Sequence, residues 1–291
     1  MTRVEDVLAG WARPASRPQA PVQYRELKII EPTLTEGSAE VVRALSESSG
    51  KRVDTPVRNS FVRSVDGQLP PLAALASRGG KGGSAVAMKL YLALIWRCSR
   101  EPFVTQAPNR TWAQLLDLPD PSRRGARRVK DALATLHELG LVGLTPVRGL
   151  PTIVALLSED GRGRAYTVPS DAYRQARSQR TRERHQYFKV PQPLWVSGHM
   201  QGLSAAGVVM LLILLEESRE AGTAQWWSVD TFTRRFGVSK DVRARGTKEL
   251  VARQLLTVRR MSLPPSPGTS NPFGQDLVRN TYELIGEATP T

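Results

Sequence analysis

The sequence predicts a mainly helical α+β protein in which two copies of one small unit, each closed by a β-hairpin, follow a flexible N-terminal arm. Three observations predict it. The length of 291 residues suits about two domains at roughly 150 residues each. One order of elements, an apolar helix, a short helix, a tight turn, a third helix and paired strands, is readable between Ser84 and Val168 and again between Tyr187 and Leu284. The hydrophobic share of 40% and charged share of 23% fit a globular chain.

Composition also excludes several classes. The longest apolar run, Val208–Leu215, is too short for a span of about 20 residues, so no membrane partner is expected. Met1 to Val22 lacks an apolar core and carries Glu5 and Asp6, which argues against a secretory signal and for a cytoplasmic protein. Cys98 is the single cysteine, so neither an intrachain disulfide nor a thiolate zinc site is expected. His137, His185 and His199 are too scattered for a metal cluster, and no nucleophile elbow or paired-carboxylate motif appears. The expectation is a protein that is not an enzyme and holds no cofactor or metal.

Charge is the first positive signal. The net charge is +14, with 41 Lys+Arg against 27 Asp+Glu. Residues 71–200 carry 20 basic and 9 acidic side chains, while residues 1–70 hold 10 and 9 and residues 201–291 hold 11 and 9. A basic surface concentrated in the middle third attracts polyanions, of which nucleic acid is the commonest. The alternative is a solvated basic face without a ligand.

Each element has a local reason. Residues 1–70 show weak periodicity and scattered prolines, and apart from a short helical stretch at Val41–Leu45 they read as a flexible or loosely docked arm. The cluster Gly79–Gly83 with Lys81 lacks the spacing of a phosphate loop and reads as a hinge. A strongly apolar helix runs from Ser84 to Arg100. Thr111 and Gln114 form a capping-box pattern opening a short helix to Leu118. Asp120 and Pro121 suit the N-cap and first position of a third helix, Ser122–Leu139, ended by Gly140. Leu141–Val147 and Thr152–Leu157 read as strands, Glu159–Arg164 as a polar hairpin tip, and Ala165–Val168 as a returning strand.

In the second copy Tyr187–Val190 is an extended entry and Ser204 caps an apolar helix to about Glu220. Ser228 caps a short helix with Phe232 and Phe236 inward, Gly237 turns the chain, and Ser239 caps a helix ending near Arg253. Leu255–Arg260 and Val278–Leu284 are strands around a Pro/Gly/Ser-rich loop, Ser262–Gln275, and Trp226 and Trp227 suit core or interface packing. The strings Ala132–Val142 and Gly246–Leu256 align at an offset of 114 residues, a weak internal repeat.

This order resembles the winged helix-turn-helix family. The resemblance covers about 71–169 and 187–286, giving a first domain at 71–169, a basic and helical linker at 170–186 and a second domain at 187–291. It implies duplex DNA as partner, with the third helix in the major groove and the hairpin wing on the backbone or minor groove. The entry string Tyr187–Pro191, with Trp195 and Leu203-Ser204, resembles plasmid replication initiators and related mobile-element regulators. That resemblance implies replication initiation or transcriptional control at repeated sites, with the protein on nucleoid or plasmid. A partition or adaptor role, with the units docking protein, and self-association of the chain stay open.

The residues expected to meet DNA follow. Arg123, Arg124, Arg127, Arg128 and Lys130 crowd the start of the first third helix, where positive charge opposes the helix dipole and so does not serve helix stability. With Ala126, Val129 and Leu133 inward, Arg124, Arg128, Asp131 and Thr135 are expected opposite the core, toward bases, and Arg123, Arg127 and Lys130 on the flank. Arg162 and Arg164 sit at the expected wing tip, and Arg180 and Arg184 on the linker suit either a phosphate track or a solvated strut. The second copy offers Arg235, Lys240, Arg243, Arg245, Thr247, Lys248 and Arg260.

Overall fold

The computed structural model describes residues 22, 27–48, 54–65, 67–78, 83–218, 224–263 and 277–290. The expected hinge at Gly79–Gly83 and the long loop Ser262–Gln275 lie largely outside them. The fold is mainly helical with small antiparallel sheets. Among the described residues no helix is long and apolar enough to cross a membrane.

The first correction concerns residues 1–70, whose described part is not an arm. Helix α1 (Glu36–Ser48) is capped by Thr35, whose Oγ1 accepts from the Ser38 N–H and donates to Asp117 at 2.6 Å. Val42 and Leu45 are buried. Strand β1 (Thr55–Arg58) is buried throughout, and the 3-10 turn Asn59–Phe61 places Phe61 against Tyr91 at 5.1 Å. Short elements of this kind gain their stability from tertiary contact rather than propensity, which is why periodicity revealed only the Val41–Leu45 part of α1 and not β1.

Helix α2 (Pro71–Ser77) leads to α3 (Gly83–Arg97), which is buried from Ser84 to Trp96. A helix apolar on all sides belongs at the centre of a core. The short strand β2 (Val104–Thr105) precedes α4 (Asn109–Leu115), whose N-cap is Pro108 rather than the expected Thr111. A turn of π type, Pro121–Gly125, leads into α5 (Ala126–Glu138), and then come β3 (Val142–Thr145) and β4 (Ile153–Leu156). The sheet order is β2–β4–β3, with Val104 opposite Ala155 and Val142 opposite Leu156. The expected returning strand Ala165–Val168 is reduced to one bridge, Leu157 with Ala165.

The expected helical linker is two short helices, α6 (Pro169–Gln175) and α7 (Gln179–Arg184), the latter capped by Ser178. Strand β5 (Tyr187–Val190) pairs antiparallel with β1, Thr55 opposite Val190. Two short turns, α8 (Pro193–Val196) and α9 (His199–Gly202), precede α10 (Ala205–Glu217), capped by Ser204 as expected. Helices α11 (Val229–Phe236) and α12 (Lys240–Ala252) carry the expected caps Ser228 and Ser239, and Gly237 turns between them at φ +65°. Strands β6 (Leu256–Leu263) and β7 (Leu277–Leu284) close the second unit.

The repeat is visible in backbone bonds as well as in helix order. Leu141 N–H donates to Leu136 O at 3.0 Å, and Leu255 N–H to Leu250 O at 2.9 Å. Leu157 N–H donates to Leu141 O at 3.0 Å, and Ile285 N–H to Leu255 O at 3.1 Å. In each unit a residue before the short helix bridges to the last strand, Val104 and Thr105 in one and Gln225 in the other.

The two units are not beads on a string. The buried apolar residues form one cluster running through both, joined where α3 packs on α10 and where Trp96 meets Trp195 at 5.8 Å. Lys89 of α3 is buried there and donates to the carbonyls of Gln201 and Leu203 at 2.7 and 3.1 Å, closing the end of α9. Gly246 lets α12 lie against α10, since a Cβ there would come within 2.2 Å of the Ala206 carbonyl oxygen.

Candidate nucleic-acid interface

The turn before α5 is built for a close helix pair. Asp120 adopts a left-handed φ of +50° and accepts from the Arg124 N–H at 3.5 Å, with Pro121 at the first position. Gly125 faces α4, and a Cβ there would stand 3.0 Å from the Ala113 methyl and 3.1 Å from the Asp120 carbonyl. The helix then turns Val129, Ala132, Leu133 and Leu136 into the core.

The outward face follows from that rotation. Arg123, Arg124, Arg127 and Lys130 are exposed, Arg124 at 89% of its side chain. Arg124 lies 3.9 Å from Asp120, while Arg123, Arg127 and Lys130 have no ion-pair partner among the described residues. Arg128 is half-buried on the flank toward Lys89, not opposite the core as expected. Burial, joined by the positive charges of Arg128 and Arg253 and opposed by Glu249, brings the Lys89 ammonium down to about 8. Thr135 is half-buried and its hydroxyl donates to Asp131 O at 3.1 Å, so it too leaves the outward face. The error came from counting Ala126, which is half-exposed at the helix start, in the core stripe with Val129 and Leu133 and leaving out the buried Ala132, which rotates the face.

The hairpin tip is also displaced from expectation. The connection between β3 and β4 is residues 146–152, which present Arg148 and the exposed Leu150. Pro146, Gly149 and Pro151 are the signal that could have located it, and Gly149 does take φ +73°. Arg162 and Arg164 stand instead on the turn after β4. Arg162 donates through Nε and Nη2 to Gln68 at 3.2 and 2.9 Å, and Arg164 pairs with Asp160. Gly161 of that turn packs on the end of α5, its Cβ position lying 3.0 Å from Leu139 O.

In the second unit several expected contacts are turned inward. The Arg243 guanidinium sits 4.6 Å from the Phe232 ring centre, 5.3 Å from Tyr282 and 5.9 Å from Trp227, and donates to the Tyr282 hydroxyl at 3.1 Å. Arg235 pairs with Glu217 at 2.5 Å and covers Phe236. Thr247 is buried. Lys240, Arg245 and Lys248 on α12 and Arg260 on β6 are exposed. Trp227 is buried as expected, whereas Trp226 is 45% exposed.

A second basic concentration lies in a cleft that the sequence does not announce. Arg58, 3% exposed, pairs with the fully buried Glu159 and donates through Nη2 to Thr167 O at 2.8 Å. Arg63, Arg162, Arg164, Arg184 and His185 share the cleft. Arg180 of α7 lines an adjoining one that also includes Arg63 and Arg184. The residues come from three separate stretches of chain brought together by the β1–β5 pairing.

Burial pushes the Cys98 thiol up to about 12, so it stays protonated. Among the described residues no three His, Cys, Asp or Glu side chains gather into a metal site. Comparison with protein-family models, with curated proteins and with solved structures finds no match to this chain.

Proposed function

We propose that the chain binds duplex DNA through two winged-helix units, with α5 as the principal reading helix. The observation that carries the reading is the outward face of α5 and of the turn before it: Arg123 of that turn, with Arg127 and Lys130 of the helix, is exposed opposite a face locked into the core. Arginine forks suit both phosphates and guanine edges, and a helix entering the major groove uses its N-terminal residues. The sheet order β2–β4–β3 and the projecting connection with Arg148 fit the same reading. Sequence-specific binding at repeated sites, in replication initiation or transcriptional control, is the role proposed.

A second reading applies to the second unit. Arg243 and Arg235 are committed to their own aromatic core, while Trp226 and Val229 are 45% and 52% exposed. Those features favour protein docking or self-association by that unit, leaving DNA to the first.

The test is fluorescence anisotropy of the full chain on labelled duplexes across a salt series. Log affinity should fall linearly with log salt, with a slope of about −0.9 per phosphate and on the order of 6–10 phosphates if both units engage. Affinity indifferent to salt would remove the DNA reading. Sequencing of DNA recovered with the protein from its host then separates origin repeats from promoters.

A further inference from the structure

We propose that Lys89 and the segment it grips, Gln201–Ser204, form the joint that fixes α12 relative to α5, which makes Lys89 a positioning residue for the spacing of the DNA segments that the two units contact. The spacing role rests on the duplex-DNA reading above; the joint itself does not.

The joint is built from consecutive groups held alternately by α3 and by the end of α12. The Gln201 carbonyl accepts from Lys89 of α3 at 2.7 Å. The Gly202 carbonyl accepts from Arg253, the residue that caps α12. The Leu203 carbonyl returns to Lys89 at 3.1 Å. The Ser204 N–H then donates to Glu249 of α12 at 2.9 Å, and the Ser204 hydroxyl donates to the same carboxylate. The Gln201 amide adds a tie to the first unit, donating to Leu115 O at 3.3 Å. Two glycines allow the close approach. A Cβ at Gly202 would stand 2.8 Å from Arg253 Nη1, and one at Gly207 would stand 2.5 Å from Glu249 Oε2.

Stability does not ask for a cation here. Lys89 is the one charged residue between Ser84 and Trp96, and it is 5% exposed. A buried charge is desolvated at a cost, and an apolar side chain of similar volume often serves stability as well or better. What the ammonium adds is direction. Ridge-into-groove packing such as that of α3 on α10 leaves the crossing angle a latitude of about 15–20°. Hydrogen bonds to two carbonyls fix a distance and an angle. The electrostatics tie the same group to both third helices. Burial is the main cause that lowers the Lys89 ammonium to about 8. After it, Glu249 of α12 acts upward, Arg128 of α5 and Arg253 downward, and Asp117 upward.

The joint is tested without DNA. Nitroxide labels at Ala134→Cys on α5 and Ala244→Cys on α12, both exposed, report the distance between the helices by electron double resonance in a Cys98→Ala chain. The parent should give one narrow distribution, and Lys89→Met should widen it about twofold. A pair inside the first unit, Ala134→Cys with Arg110→Cys, should stay unchanged. Arg253→Met releases the segment from the α12 side and should widen the first pair likewise; if Lys89→Met does not fold, this variant decides. A distribution that stays narrow in every folded variant, or that widens together with the control pair, overturns the joint. Selection from random duplexes by the unlabelled full chain should yield two sequence blocks at one spacing. The joint variant should yield the same blocks at several spacings, since one base pair moves a block by about 3.4 Å. A single spacing kept beside a widened distribution overturns the spacing role. Failure of the wild type to select any duplex removes the DNA reading and the spacing role with it, while the label distances still decide the joint.

Discussion

Gly140 and Gln254 occupy one position in the two units, 114 residues apart, and both hold left-handed backbone, at φ +64° and +58°. Each ends its helix by donating an N–H three residues back, to His137 O at 2.9 Å and Val251 O at 3.0 Å. Glycine takes that conformation without penalty, and glutamine does not. Gln254→Gly should therefore stabilise the chain by about 0.5–1 kcal/mol, while Gly140→Ala should cost about 2 kcal/mol or more. The larger cost comes from contact, since a Cβ at 140 would lie 2.8 Å from Gly161 O. Urea denaturation of both variants checks the pair, and equal effects of one sign would disprove the equivalence.

Arg243 is expected to be structural. Its cation sits among Phe232, Tyr282 and Trp227 and its donor reaches the Tyr282 hydroxyl. A partly desolvated cation–π contact contributes about 1–2 kcal/mol and the hydrogen bond about 1 kcal/mol. Arg243→Ala should cost about 2–3 kcal/mol and shift Trp227 fluorescence. Arg245→Ala, two residues on and exposed, should stay within about 0.5 kcal/mol.

Stability should fall as pH rises from about 5 to 8 at one site, Glu216. Burial, then its neighbour Glu217, lift its carboxyl to about 8 despite Arg63. The folded chain then holds a proton that the unfolded chain, titrating near 4.5, has released. Over that window the native state binds more protons, so raising pH favours unfolding. The contribution is full below about 4.5 and is lost as pH passes through about 8. Glu216→Gln should flatten the profile between pH 5 and 8, measured by urea midpoints. An unchanged slope would show that Arg63 keeps Glu216 ionised throughout.

Legibility in the sequence followed the physics of each element. Caps at Ser204, Ser228 and Ser239 and the turn at Gly237 were readable because capping and left-handed turns are local. Of α1 only the stretch Val41–Leu45 was readable, and strand β1 was not, because Val42, Leu45 and Val57 become a core only when β5 and α4 arrive from distant sequence. Arg162 and Arg164 were placed on the hairpin tip because charge density resembles a contact surface, whereas the prolines and glycine at 146–151 mark the actual turn. Arg243 looked like a reading residue because its spacing is right; only the aromatic neighbours, 11 residues before and 39 after in the case of Phe232 and Tyr282, redirect it. The arginine-lined cleft had no local signature at all.

The same rotation of α5 that overturned the sequence assignment yields the sharpest prediction for DNA. Arg127 is exposed at the middle of the outward face, and Arg128 is half-buried, its positive charge acting on Lys89. If α5 reads DNA, Arg127→Ala should weaken binding by about tenfold, the order expected for losing one guanine fork worth about 1–3 kcal/mol, and should relax preference at one base position. Arg123→Ala should weaken specific and random duplexes by a similar factor and flatten the salt slope by about one unit. Arg128→Ala should leave DNA affinity within about twofold, because the residue is half-buried rather than on the exposed face. It should instead move Lys89: removing a positive neighbour raises the ammonium pKa from about 8 toward its ordinary value, observable by NMR of the lysine side chain. Loss of DNA binding in Arg128→Ala with Lys89 unmoved would restore the original face. Wild-type binding in both Arg123→Ala and Arg127→Ala would remove α5 as a reading helix, whatever the behaviour of Lys89.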